Sequence, residues 1–214
     1  MTYLKKNGLW LVVNLIITVI FVSICVTIGQ QIINPTIATV VDEGRRSHSA
    51  LGGAVKESGE WAIRLLVLSL SCTPLFVLFG WTWIMGFRKA TGVWAFFYTA
   101  IHLLAFGLEK GWLASVGEFN FIMGWISLLI MLPLALTSTD WAMQLLRKNW
   151  RPLQRAAYAA GVFAVLHLLF LGEGAVMMYG TLMGLGFIIR IPQVRKAIHH
   201  YRGQHLSQKP ALGS

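Results

Sequence analysis

The chain has 214 residues, of which 56% are hydrophobic and only 12% charged, with a formal net charge of +10. A water-soluble domain carries roughly a quarter charged residues, so this composition excludes a fold whose whole surface faces water. Nucleic-acid binding, which the positive charge might suggest, is excluded by where the charges fall along the chain.

Apolar runs long enough to cross a bilayer, about 20 residues each, recur along the sequence. They predict an all-α integral membrane protein, a bundle of six transmembrane helices in one domain over 1–214. The predicted spans are about 8–28, 61–81, 91–108, 119–136, 155–171 and 174–189. Pro74 and Pro133 fall inside two of them, and neighbouring helices can satisfy the carbonyls they free. The outer connection over about 30–60 is the longest and contains Asn34-Pro35-Thr36, which proline disqualifies as a glycosylation site. Cys25 and Cys72 lie in apolar runs without metal spacing and read as small buried hydrophobes. No internal repeat is evident, and residues 190–214 read as a short basic cytoplasmic tail with no room for a nucleotide domain.

Lys and Arg then count as thirteen on one side, four on the other, and Arg64 within a span. The richer side includes Lys5, Lys6, Arg88, Lys89, Arg147, Lys148, Arg151 and Arg155. Positive residues favour the cytoplasm, which places both termini there; the family resemblance described below implies that the membrane is the bacterial cytoplasmic (inner) membrane. Trp10, Trp61, Trp81, Trp112, Trp141 and Trp150 fall near span ends, as anchors in the lipid interface do.

Ionisable residues inside spans are costly and mark function by default. Here they are Arg64, His102 and His167. Each histidine lies 11 residues beyond the predicted inner end of its helix, roughly 16 Å along the axis. Two imidazoles at one depth, on helices running the same way, suit the two faces of a haem. Unrelated packing histidines and a proton relay are the alternatives, although no acid lies deep in any span. Arg64, near the outer end of its helix, could pair a haem propionate or snorkel to the interface. Ala156, Ala160 and Ala164 form a small-residue stripe that suits close helix packing.

Several segments resemble a known family. Gly59-Glu60-Trp61-Ala62-Ile63-Arg64 with Thr73-Pro74-Leu75 is similar to the second helix of the ferric-reductase-like transmembrane superfamily. Arg88-Lys89-Ala90-Thr91-Gly92-Val93-Trp94 through Ile101-His102-Leu103 is similar to its third helix, and Leu136-Thr137-Ser138-Thr139 to the end of its fourth. Trp150-Arg151-Pro152-Leu153-Gln154-Arg155 with Val165-Leu166-His167 is similar to its fifth. Within that superfamily the chain most resembles the MsrQ, or YedZ, family over about 59–171. The resemblance implies b-type haem on His102 and His167, and a non-catalytic electron-transfer subunit of an oxidoreductase system. Electrons would come from quinone or a flavin reductase and go to a periplasmic molybdopterin methionine sulfoxide reductase. A flavin mononucleotide (FMN) is also associated with the family, and Arg88, Lys89 and Arg155 are its candidate contacts.

One departure stands out. The family usually has a histidine where this chain has Gln154, 13 residues before His167. The opposing positions before His102 are Lys89 and Arg88, so the inner ligand position is lost and a single haem is expected. The departure keeps two other readings open: an accessory or structural subunit of a larger membrane bioenergetic complex, and a stand-alone ferric or quinone reductase.

Overall fold

The structure is a computed structural model that describes residues 2–33, 50–112 and 117–207. Those residues are helical throughout, joined by short turns. Helix α1 is Thr2–Ile33, α2 Ala50–Phe79, α3 Ile84–Lys110 and α4 Phe119–Leu136. A broken segment follows: α5 Asp140–Leu146, a single 3-10 turn Arg147–Asn149 and α6 Trp150–Gln154. Then come α7 Ala157–Phe170, α8 Val176–Arg190 and α9 Pro192–Ser207.

The first four helices are each long and apolar enough to cross a membrane, and the protein is a multi-pass membrane protein. The segment Asp140–Gln154 and α7 make a fifth crossing if they are one span, bent by 42°. Helix α8, of 15 residues, is shorter. Leu15, Val19, Leu129 and Leu136 are each about two-thirds exposed, at 59–66%. Apolar side chains facing outward are what lipid, not water, selects.

Helix α1 extends beyond the expected 8–28 at both ends, Asp140–Gln154 is helical between two expected spans, and three further boundaries differ from the sequence reading. Helix α2 begins at Ala50, eleven residues before the expected start, so part of the presumed outer connection is helix. Leu51, Ala54 and Val55 pack into the core there and Ser58 is fully buried; the glycines and charges among them hid that face. Helix α3 begins at Ile84, seven residues early. His102 and His167 are 18 and 10 residues beyond the first residues of their helices, so the helix starts themselves are not a common reference level. Residues after 190, expected as a tail, form α9. The segments Asn34-Pro35-Thr36, Arg45 with Arg46, and Lys209 lie outside the described residues.

Helix α2 is the central element. It packs most extensively against α3 and also touches α1, α7 and α8. The second extensive pair is α4 with α7. Helix α1 docks through polar groups that would be costly to leave unpaired in lipid. The Tyr98 hydroxyl donates to the Ile17 carbonyl at 2.8 Å, and Trp94 Nε1 donates to Asn14 Oδ1 at 3.1 Å. The small-residue stripe packs as expected: Ala160 is fully buried and its carbonyl accepts from the Ser127 hydroxyl at 2.9 Å.

Pro74 lies inside α2, so the carbonyl four residues back, Leu70, lacks its intrahelical donor. The Arg190 guanidinium supplies one from the end of α8 and stacks on the Tyr158 ring, 4.3 Å from its centroid. Gly186 lies beside this contact, where a Cβ would meet the Pro74 ring at an ordinary 3.4 Å. Arg190→Met should lower stability by about 1–3 kcal/mol, the cost of an unpaired buried acceptor, in thermal unfolding of detergent-solubilised protein. In a Pro74→Ala background the loss should shrink, because the restored backbone N–H then satisfies Leu70.

Candidate functional site

Both histidines are held by the backbone of an adjacent helix. His102 Nδ1 donates to the Val55 carbonyl on α2 at 2.8 Å, and His167 Nδ1 donates to the Asn120 carbonyl on α4 at 2.7 Å. A carbonyl oxygen can only accept, so the proton sits on Nδ1 and each Nε2 keeps its lone pair. This is how metal-ligating histidines are commonly oriented: the other ring nitrogen donates to a carbonyl, which fixes the tautomer. The Ser58 hydroxyl, 3.0 Å from the Val55 carbonyl and 2.6 Å from that of Ala54, stands 3.5 Å from His102 Nδ1. Phe106, one turn beyond His102, packs on Phe121 with ring centroids 4.7 Å apart, and Phe121 lies 6.4 Å from the His167 ring.

The two arrangements repeat one plan, although the sequence reading found no repeat. In each, a carbonyl, a glycine four residues later and a histidine 47 residues after the carbonyl come together. Val55, Gly59 and His102 match Asn120, Gly124 and His167 at a constant offset of 65 residues. Ala95 and Ala160, both fully buried, obey the same offset. Hairpin α2–α3 and the pair α4–α7 are thus equivalent halves. Side-chain identities outside these positions have diverged, which is why inspection of the sequence missed it. Val55, Ser58, Gly59, Asn120 and Gly124 were not predicted as site residues; the recurring Gly-to-His spacing of 43 residues was the available signal.

The same offset pairs Lys89 with Gln154, and both line a cavity of about 410 Å³ at the other end of the two pairs. Arg88, Arg151, Arg155, Ser69, Tyr158 and Trp150 line it too. The cations predicted as inner-site contacts are therefore brought together. Arg88 donates to Thr73 Oγ1 at 3.1 Å, and Lys89 pairs with Asp140 at 2.9 Å. The Gln154 amide is committed to the frayed end of α4, donating to the Leu134 carbonyl at 3.2 Å. Trp150 Nε1 does likewise to the Thr137 carbonyl at 2.9 Å. Thirteen residues of helix separate Lys89 from His102, roughly 20 Å along the axis. Among the described residues no cluster of three or more His, Cys, Asp or Glu could hold a metal ion.

Arg64 is not brought to either histidine. It pairs with Glu60 one turn away on its own helix at 2.6 Å and lies over the Trp61 ring at 5.4 Å. Nine residues separate it from Val55, which puts it about half a turn around α2 from the carbonyl that holds His102.

These helices and the paired histidines define a class. The chain matches the family of ferric reductase like transmembrane components over residues 58–168 and belongs to it. More narrowly, it is similar to proteins named as the heme-binding subunit MsrQ of protein-methionine-sulfoxide reductase. The Bordetella pertussis protein is 37% identical over 142 residues, 61% of this chain and 69% of the relative. The Rhodospirillum rubrum protein is 33% identical over 153 residues, 66% of this chain and 74% of the relative. That of Xanthomonas axonopodis pv. citri is 37% identical over 121 residues, 53% and 56% of the two chains. No solved structure matches.

The Glu60–Arg64 and Lys89–Asp140 pairs are both substantially exposed, and such pairs contribute about 0–1 kcal/mol. Arg64→Met and Lys89→Met should each change stability by less than about 1 kcal/mol, measured by thermal unfolding in detergent.

Proposed function

We propose that this chain is a b-type haem electron-transfer subunit of the bacterial cytoplasmic membrane, with His102 and His167 as the axial ligands of one haem. The observation that carries the reading is that both Nδ1 atoms are tied to backbone carbonyls, leaving each Nε2 with its lone pair. That donor set fits a bis-imidazole haem, which when bound supplies one-electron chemistry and no open coordination position. The chain's own part is to fix both tautomers, hold the rings in a water-poor interior and raise their basicity through the carbonyls. Lys89 and Gln154, occupied by Asp140 and the Leu134 carbonyl, support an inner level without a ligand pair.

The proposal extends to topology and partners. Six spans place both termini and the basic cavity on the cytoplasmic side, with α8 as the sixth. The cavity would receive the electron donor. Arg88, Arg151 and Arg155 favour a ring carrying an anionic group, such as FMN, over a neutral quinone. The acceptor would be a periplasmic redox partner, the methionine sulfoxide reductase with which the similar proteins are named.

Protein purified from haem-supplemented cells should show a low-spin b-type spectrum on dithionite reduction and about one haem per chain. His102→Ala and His167→Ala should each abolish that spectrum. Full haem in both variants rejects the ligand pair, and two haems per chain reject the empty inner level. Orientation has a separate readout, with Cys25 and Cys72 first replaced by serine. Gln154→Cys should then react with an impermeant maleimide in inverted vesicles and stay unlabelled in right-side-out ones.

A further inference from the structure

The two half-sites share a feature that ligand identity does not require. A Cβ built on Gly59 would lie 2.9 Å from His102 Cε1 and 3.0 Å from Nδ1. One built on Gly124 would lie 3.3 Å from His167 Nδ1 and 3.4 Å from Cε1. Carbon atoms in contact prefer about 3.5–4.0 Å, so the imidazoles rest directly on bare backbone. Each ring is then held twice by one helix: its edge by a carbonyl, its body by the α-carbon one turn further on. A hydrogen bond to one ring nitrogen still lets the ring swing about that contact. The close approach that glycine permits sets the ring against the helix and limits the swing.

We propose that Gly59 and Gly124 are positioning residues, which set the rotation of the His102 and His167 rings and thereby the angle between the two imidazole planes. This rests on the haem reading above. The two halves are graded. The Gly59 fit is tighter by about 0.4 Å at its nearest ring atom, and the Val55 carbonyl has Ser58 as a second side-chain donor. At the position matching Ser58 the other half carries Met123, which brings no hydroxyl. His102 is the more rigidly held ligand, and its ring must move further if a methyl group is added beneath it.

The angle between two axial imidazoles governs the low-field g value of a low-spin ferric haem. Electron paramagnetic resonance therefore reads ring rotation directly, apart from haem content. Gly59→Ala should shift that g value and weaken haem retention by about 10-fold, the lower end for outer-shell changes at metal sites. Gly124→Ala should shift it less. Gly53→Ala, on the same α2 with nothing within 4 Å of the added methyl, should leave both readouts unchanged. If Gly59→Ala does not accumulate, Gly124→Ala decides, since its closer contacts of 3.3–3.4 Å can be absorbed. Wild-type spectra in both the Gly59 and Gly124 variants overturn the proposal and leave the ligand pair standing. An equal shift in Gly53→Ala overturns it too. A wild-type protein without haem instead rejects the ligand reading itself.

Discussion

The hydrogen bond from an imidazole N–H to a helix carbonyl is the constraint on which the rest of the bundle turns. Deep in an apolar interior a polar ring without a partner is costly, and a helix carbonyl is the partner always present. Using it demands that the neighbouring helix come very close. That closeness is why Gly59 and Gly124 lie at the contacts, and why α2 with α3, and α4 with α7, form the two most extensive pairs. The remaining helices are arranged around these two pairs.

Helix α2 bears an added burden, because it must accept a histidine near one end and a proline near the other. The two are compatible because different neighbours complete its backbone. His102 takes up spare acceptor capacity at Val55, and Arg190 fills the deficit at Leu70. The basic cavity is lined by Ser69 and Leu70 of α2 and by the ends of both pairs. Of its cations, Arg88 is held by Thr73 and Lys89 by Asp140.

Much of this was legible in the residues. Composition and apolar runs gave a helical membrane protein, and the costliest buried groups, His102 and His167, emerged as the candidate ligands. The candidate inner residues Arg88, Lys89, Gln154 and Arg155 prove to share one cavity. The start of α2 was not legible, because Lys56, Glu57 and Glu60 interrupt its hydrophobicity while Ser58 and Gly59 face inward. Nor were the ring partners, since a backbone carbonyl has no residue type. Arg64 reads from its depth and its affinity for carboxylates as either a propionate partner or an interface anchor, and in the structure it pairs with Glu60 on its own helix. The 65-residue offset was present in the numbering, but so few identities survive that only the shared geometry exposes it.

The shortness of α8 bears on the lipid around it. Fifteen residues rise roughly 22 Å, against about 30 Å of hydrocarbon in a typical bilayer. A helix of that length crosses only where the membrane thins to meet it, at a modest cost per ångström. Arg190 already ties its C-terminal end to α2, so α8 cannot gain reach by sliding. Were α8 to cross as the sixth span proposed above, the bilayer would have to deform instead, drawing headgroups and water inward along one flank of the protein. That flank would select short-chain or disordered lipids as neighbours, and give the subunit a preferred side on which to sit in a larger assembly.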